Sequence, residues 1–235
     1  MSKRILITGG AGFIAHHVID KILSTTDWEI ITLDRLDFSG NLNRLKEVVD
    51  NYPKSEQKRV KVVHHDLKAQ LNPEICATIG RIDYISHLAA GSHVDRSING
   101  PEDFIQTNIV GTYNLLQSAL EYWRSLPKGN TFRFLHVSTD EVYGSLEPNV
   151  PGFSETTTYD PHSPYSASKA ASDHLARAWK DTYGLPVLVT NCSNNYGPYQ
   201  FPEKLIPVVI LKCLRSEPIP VYGNGENIRD WLYVA

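Results

Sequence analysis

Six short apolar runs recur along this chain: "RILIT" (4–8), "EIITLD" (29–34), "VKVVHHD" (60–66), "YISHLAA" (84–90), "FRFLHVS" (132–138) and "PVLVTNC" (186–192). Longer stretches with apolar residues near helical spacing lie among them. "AGFIAHHVIDKILSTT" follows the first run, while "EDFIQTNIVGTYNLLQSALEYW" and "SPYSASKAASDHLARAWKDTYG" flank the fifth. Apolar strands that alternate with helices have few ways to bury both faces: βαβ units stack into a parallel sheet with crossover helices on either side. The predicted class is α/β, a Rossmann-like doubly wound parallel sheet. With 235 residues, 41% of them hydrophobic, the chain is long enough for that core. Proline and glycine become denser after about residue 193, in "YGPYQFPEKLIP" and "RSEPIPVYGNGENIRD". The expected division is a Rossmann domain over 1–192 and the start of a smaller substrate lobe over 193–235. Because the final "WLYVA" is an apolar run without cap or turn, that lobe is expected to be truncated.

Charge narrows the function classes. Basic and acidic residues number 23 and 26, for a net charge of -3, and no basic stripe points to nucleic acid. No apolar run reaches membrane-spanning length, and "MSKRILITGG" lacks the apolar core of a signal peptide. Cys76, Cys192 and Cys213 are far apart and form no C-x-x-C, which suits a reducing compartment; a cytoplasmic protein is expected. The basic "KSEQKRVK" (54–61) reads as a solvated loop. Neither His16-His17 nor His64-His65 is read as a metal site, because neighbours on a helix point apart and neighbours on a strand face opposite ways.

In "LITGGAGFIA" a strand runs into Gly9-Gly10-Ala11-Gly12, and a helix opens near Gly12. Glycines there permit a tight turn and let backbone N–H groups approach a pyrophosphate at the positive end of the helix. The spacing is G-x-x-G-x-x-A, with Ala15 small enough for close helix–strand packing. Asp34 ends the second run, where a ribose-binding carboxylate is expected, and its charge favours NAD over a 2′-phosphate. Arg35 beside it leaves NADP open. Asp66 closes the third run, where it is either an adenine-side carboxylate or a turn residue.

Tyr165 and Lys169, in "SPYSASKAAS", are four residues apart and share a helix face. An ammonium near a phenol stabilises phenolate, so the pair is a candidate general base with a lowered tyrosine pKa. In "FLHVSTDEVYG", Asp140 and Glu141 crowd two carboxylates at a strand end, where like charges resist ionisation. Taken alone they are either a working acid–base pair or a solvated turn.

The "TGGAGFI" and "YSASK" motifs and their spacing resemble the extended short-chain dehydrogenase/reductase superfamily. "HLAAGSHVDRSI", "VSTDEVYG", "CSNNYGPYQFPEKLIP" and "VYGNGENIRDWLYV" are similar, more narrowly, to the dTDP-glucose 4,6-dehydratase family, over essentially the whole chain. The resemblance implies a lyase of deoxysugar biosynthesis with a nucleotide-sugar substrate. NAD would oxidise the sugar at C4, water would leave across C5 and C6, and the reducing equivalent would return to C6. Tyr165 would take the 4-hydroxyl proton, Glu141 the C5 proton, and Asp140 would protonate the departing 6-hydroxyl; the adjacent acids would share one proton, which splits their pKa values. Thr139 would orient the sugar, and Lys169 would bind the nicotinamide ribose. Gly9, Gly12, Phe13, Ile14, Asp34, Asp66, Leu67, Ala89, Ala90, Thr107 and Asn195 would lie on the cofactor side, as would Tyr165 and Lys169. Ser92, Thr139, Asn194, Lys204 and Arg229 would face the substrate. No metal is expected. A homodimer would form through helices containing "FIQTNIVGTYNLLQSAL" and "SASKAASDHLARAW". Gly91 replaces the family's glutamate, which is expected to loosen the backbone there. A 4-epimerase of the same fold would have no use for the Asp140/Glu141 pair, and a non-catalytic regulator would tend to lose the tyrosine retained here.

Overall fold

The structure, a computed structural model, describes residues 2–147 and 150–235. It divides into two compact units, Met1–Cys192 and Ser193–Ala235. The first unit runs β1 (Arg4–Thr8), α1 (Phe13–Thr25), β2 (Glu29–Asp34), α2 (Leu42–Asp50), α3 (Lys54–Gln57), β3 (Val60–His64), α4 (Pro73–Ile79) and β4 (Tyr84–His87). It continues through α5 (Val94–Asn99), α6 (Pro101–Phe104), a π-helical segment (Ile105–Val110), α7 (Gly111–Ser125), β5 (Arg133–Thr139), a 3₁₀ turn (Asp140–Tyr143), α8 (Pro164–Tyr183) and β6 (Val187–Cys192). The six strands form one parallel sheet in the order β3-β2-β1-β4-β5-β6.

Strand periodicity builds the core. Ile5 and Ile7 of β1 pack with Ala15, Ile19 and Leu23 of α1 on one face, while Leu6 joins Leu115, Leu116 and Leu120 of α7 on the other. Alternate residues of each central strand thus enter different cores, which is why the strand reads as continuously apolar. Each fully buried aliphatic side chain stabilises the fold by about 1.5–3 kcal/mol.

Several expectations need adjusting. The third and fourth runs stop short of their predicted ends, at His64 and His87. Asp66 turns the chain instead, its carboxylate accepting from the Lys68 N–H at 3.0 Å, and the Ala89 N–H is taken by the Thr8 hydroxyl at 3.1 Å. The amphipathic stretch 102–123 is not one helix: it passes from α6 through a π-helical segment into α7. Residues 54–61, expected as a loop, hold the helical turn α3 and the start of β3. The His16 and His17 rings do not point apart, since their centroids are 3.9 Å from each other. Among the described residues, no group of three His, Cys, Asp or Glu is placed to hold a metal, and no helix is long and apolar enough to cross a membrane.

In the second unit, β7 (Asn194–Tyr196) pairs in parallel with β8 (Trp231–Tyr233), and α9 spans Leu205–Leu214. Gly197, at a φ of +148°, passes so close to β8 that a Cβ there would fall 2.6 Å from Val234 Cγ1.

Candidate active site

A parallel sheet in this order reverses direction between β1 and β4, and the carboxyl ends of those strands frame a crevice. The chain leaves β1 there through Gly9, whose φ of +74° favours glycine, and Gly12 N–H closes the turn on the Gly9 carbonyl at 2.8 Å. A Cβ on Gly9 would lie 3.0 Å from the Ala89 backbone, and one on Gly12 would lie 2.9 Å from the Gly9 carbonyl oxygen. Gly10, outside the predicted pair, is needed for another reason: its Cβ would overlap the Thr32 hydroxyl at 1.5 Å. No described side chain caps the first turn of α1, so its leading N–H groups are left for a ligand. Asp34 is buried next to this turn, accepting from Ala11 N–H at 3.0 Å and from Leu36 N–H at 2.7 Å. A glycine cradle at a helix start with a fixed carboxylate beside it fits the pyrophosphate and ribose of a dinucleotide.

The remaining cofactor-side candidates scatter around that cradle. Phe13 and Ile14 begin α1, and Ala89 and Ala90 follow β4; all four are half-buried. Thr107, in the π-helical segment, accepts from Arg35 Nη1 at 3.1 Å. Leu67 sends its side chain into the core, while its carbonyl accepts from Asn114.

Tyr165 and Lys169 are both buried, one turn apart near the start of α8. Pro164 at the first position and a capping box between Ser163 and Ser166 set where that helix begins. Tyr165 N–H donates to Ser97 Oγ at 3.1 Å, and the Phe104 ring meets the phenol ring edge-on, with centroids 6.3 Å apart. The end of β5 brings up Thr139, whose hydroxyl is hydrogen-bonded to Tyr165. Asp140 and Glu141 begin the 3₁₀ turn and are half-buried; the Glu141 N–H donates to Thr139 Oγ1 at 3.3 Å. Gly144 ends that turn at a φ of +84°, and a Cβ there would be 2.6 Å from the Asp160 carbonyl oxygen.

The electrostatics depart from the expected lysine tuning. Burial, followed by the charge of Glu141, raises the Tyr165 phenol well above the usual tyrosine range; Asp140 adds to this, and the Thr139 hydrogen bond opposes it. Lys169 instead directs its ammonium at the Val137 carbonyl, 3.0 Å away. Burial lowers the Lys169 pKa, and the charge of Asp173 on the next turn opposes that shift. The phenol is a firm proton holder in the chain by itself.

Sequence reasoning missed the residues that brace the site. Buried Asn108 in the π-helical segment accepts from Gly91 N–H at 2.8 Å and donates to both the Gly91 carbonyl and Ser168 Oγ. Gly91 is therefore held at both backbone groups instead of loosened, and a Cβ there would meet the Phe104 ring at 3.1 Å. Asp173, fully buried, pairs with His136 at 3.0 Å and accepts from Tyr159 and Asn191. No motif marked these residues; only the i, i+4 spacing of Asp173 from Lys169 was a signal. Ser92 is exposed in the loop after β4. Asn194, Asn195, Lys204 and Arg229 belong to the second unit. Asn194 and Asn195 are on β7, Lys204 precedes α9, and Arg229 donates to the Ile228 carbonyl.

A doubly wound sheet with a glycine turn at its switch point and a buried tyrosine–lysine pair on one helix defines an α/β protein of the short-chain dehydrogenase/reductase type. The chain belongs to the GDP-mannose 4,6 dehydratase family, whose model matches residues 6–235. It is 54% identical to the dTDP-glucose 4,6-dehydratase of Salmonella typhimurium, across 98% of this chain and 65% of that protein. Its fold superposes on the dTDP-glucose 4,6-dehydratase DesIV of Streptomyces venezuelae, solved with NAD bound, with a TM-score of 0.86 and 43% identity; 98% of this chain and 68% of that one are covered. A UDP-glucose 4-epimerase from Thermotoga maritima superposes with a TM-score of 0.81 at 30% identity, covering 98% and 69%. The chain thus spans just under two thirds of the length of the curated relatives it matches.

Proposed function

We propose that this chain carries the cofactor-binding part of an NAD-dependent nucleotide-sugar 4,6-dehydratase, with dTDP-glucose as substrate and the 4-keto-6-deoxy sugar as product. The observation that carries this reading is the Asp140/Glu141 pair, half-buried at the end of β5 and within electrostatic reach of the buried Tyr165. An epimerase needs a phenol and a cofactor but no second acid pair, whereas water loss needs one donor and one acceptor. Identity to dTDP-glucose dehydratases exceeds that to the epimerase, 54% and 43% against 30%, which supports the same choice.

NAD when bound supplies a reversible two-electron oxidation at sugar C4 and a positive charge on its nicotinamide ring. Gly9, Gly12 and the start of α1 hold its diphosphate, and Asp34 accepts from its ribose. Tyr165 accepts the proton of the 4-hydroxyl, helped by the Thr139 hydroxyl that already contacts it. Glu141 removes the C5 proton, acidified by the neighbouring ketone, and Asp140 protonates the leaving 6-hydroxyl. Lys169 holds the nicotinamide ribose. Residues 1–192 serve as the cofactor domain, and 193–235 begin the sugar-nucleotide lobe, with Asn194, Lys204 and Arg229 on the substrate. Exposed Ile105, Tyr113 and Tyr183 on the π-helical segment and on α7 and α8 support a homodimer through these helices. Three cysteines outside any disulfide support a cytoplasmic setting. The test is mass spectrometry of products from dTDP-, UDP-, CDP- and GDP-sugars incubated with the full chain and NAD. Loss of water from dTDP-glucose is the expected result; an isomer of unchanged mass, resolved from the substrate by chromatography before the spectrometer, would replace dehydration with epimerisation.

A further inference from the structure

We propose that Asp37 helps set the dinucleotide preference of this site by occupying Arg35, so that the cation next to the ribose carboxylate Asp34 cannot receive a 2′-phosphate. The inference rests on the assignment of the Gly9–Gly12 turn and Asp34 to a dinucleotide. In sheets of this kind an arginine close to the ribose end of the second strand is what accommodates a 2′-phosphate, and Arg35 stands in that position. Its guanidinium is already committed. Nε and Nη2 both reach Asp37 Oδ2, at 2.9 and 2.7 Å, and Nη1 donates to Thr107 Oγ1 at 3.1 Å. Asp103 of α6 lies 3.6 Å from Nη2, and Asp66 lies 3.8 Å from Nη1.

The loop is built to keep this arrangement. Leu36 sits between the partners at a φ of +56°, a left-handed conformation that costs a branched residue about 1 kcal/mol. That turn is held by Asp34, which takes the Leu36 N–H, and by Asp37 Oδ1, which accepts from Ser39 N–H, Ser39 Oγ and Gly40 N–H. Burial pushes the Asp37 carboxyl up, yet the Ser39 and Arg35 hydrogen bonds outweigh it and keep the group ionised. The other cations nearby are also engaged. Lys68 is paired with Asp103, and buried Arg44 donates to the carbonyls of Ala11 and Ser39. The exposed His64 ring contacts the Arg35 carbonyl. A phosphate arriving here meets four aspartates and no uncommitted cation among these three.

Isothermal titration of NAD and NADP into the full chain tests this without reference to turnover. Asp37→Asn keeps the Oδ1 acceptor for Ser39 and Gly40 and removes the negative charge that faces the Arg35 guanidinium. It should tighten NADP binding relative to NAD by about tenfold, an effect on the scale of one charged arginine–phosphate contact. Adding Arg35→Ala to that variant should return the ratio to the parent value. Asp103→Asn, which leaves the turn untouched, should give a smaller gain of about threefold. An unchanged ratio in both Asn variants, with NAD still binding, overturns the proposal alone; so does a gain that survives the loss of Arg35. Failure of the parent chain to bind either dinucleotide overturns the cofactor assignment and the proposal together.

Discussion

At the scale of single residues, the site turns on where protons are held. Tyr165 is surrounded by apolar contacts and two carboxylates, so its phenol keeps its proton until a positive charge joins the site. Glu141 has the complementary position: half-buried on the turn after β5, where its own N–H donates to Thr139 Oγ1. Glu141→Gln should therefore preserve oxidation at C4 while lowering the exchange of the C5 proton with deuterated solvent by about 10²–10⁴-fold. Exchange at the parent rate would place the base on another residue. The adjacent acids were visible as an electrostatic oddity in the sequence, but their half-buried place on a 3₁₀ turn closed by Gly144 against Asp160 was not.

At the scale of elements, the first turn of α8 fixes the register of Tyr165 and Lys169 against β5. The reciprocal Ser163/Ser166 cap and Pro164 start the helix at that point. Ser163→Ala removes one arm of the box and should destabilise the protein by about 1 kcal/mol, which lowers Tm by roughly 2–4 °C. An unchanged Tm would mean that tertiary contacts alone hold the helix start. The helices α1 and α8, with long apolar periodicity, and the six strands, as short continuous apolar runs, could be read from the chain. The short helices α2, α4 and α5 were not, since six to nine residues carry too few repeats of a 3.6-residue period to separate from loop. The π-helical segment escaped for a different reason: it holds Asn108 against Gly91 and Ser168, partners that are distant in sequence and leave no local signal.

At the scale of the molecule, buried histidines couple the fold to pH. Burial and the nearby Lys169 charge push His136 down to about 4 in spite of its Asp173 partner, and burial together with His17 pushes His16 down to about 4. Both rings are neutral in the native state, so their contribution is fully present above the ordinary value of 6.5 and is lost as pH falls towards 4. Between those values the unfolded chain binds protons that the native state refuses. By pH 5 each histidine should cost about 2 kcal/mol, and together they should lower Tm by roughly 10 °C relative to pH 7. Calorimetry across that range checks this; a flat Tm would mean that the rings are protonated, or solvated, in the native state.

The sequence by itself determined the parallel sheet, the glycine turn, the carboxylate that ends the second strand and the order of tyrosine, lysine and acids along the chain. These are local facts: short continuous apolar runs, glycines where a Cβ cannot fit, and spacings within one helix or one turn. Only the tertiary structure decided how those groups are charged and braced. The phenol rises because packing buries it and the turn after β5 brings carboxylates near it, Lys169 turns to a strand carbonyl, and Arg35 is neutralised by aspartates from three separate segments. Burial and electrostatic coupling depend on which distant segments meet, and pairs far apart along the chain leave no periodic trace in its sequence.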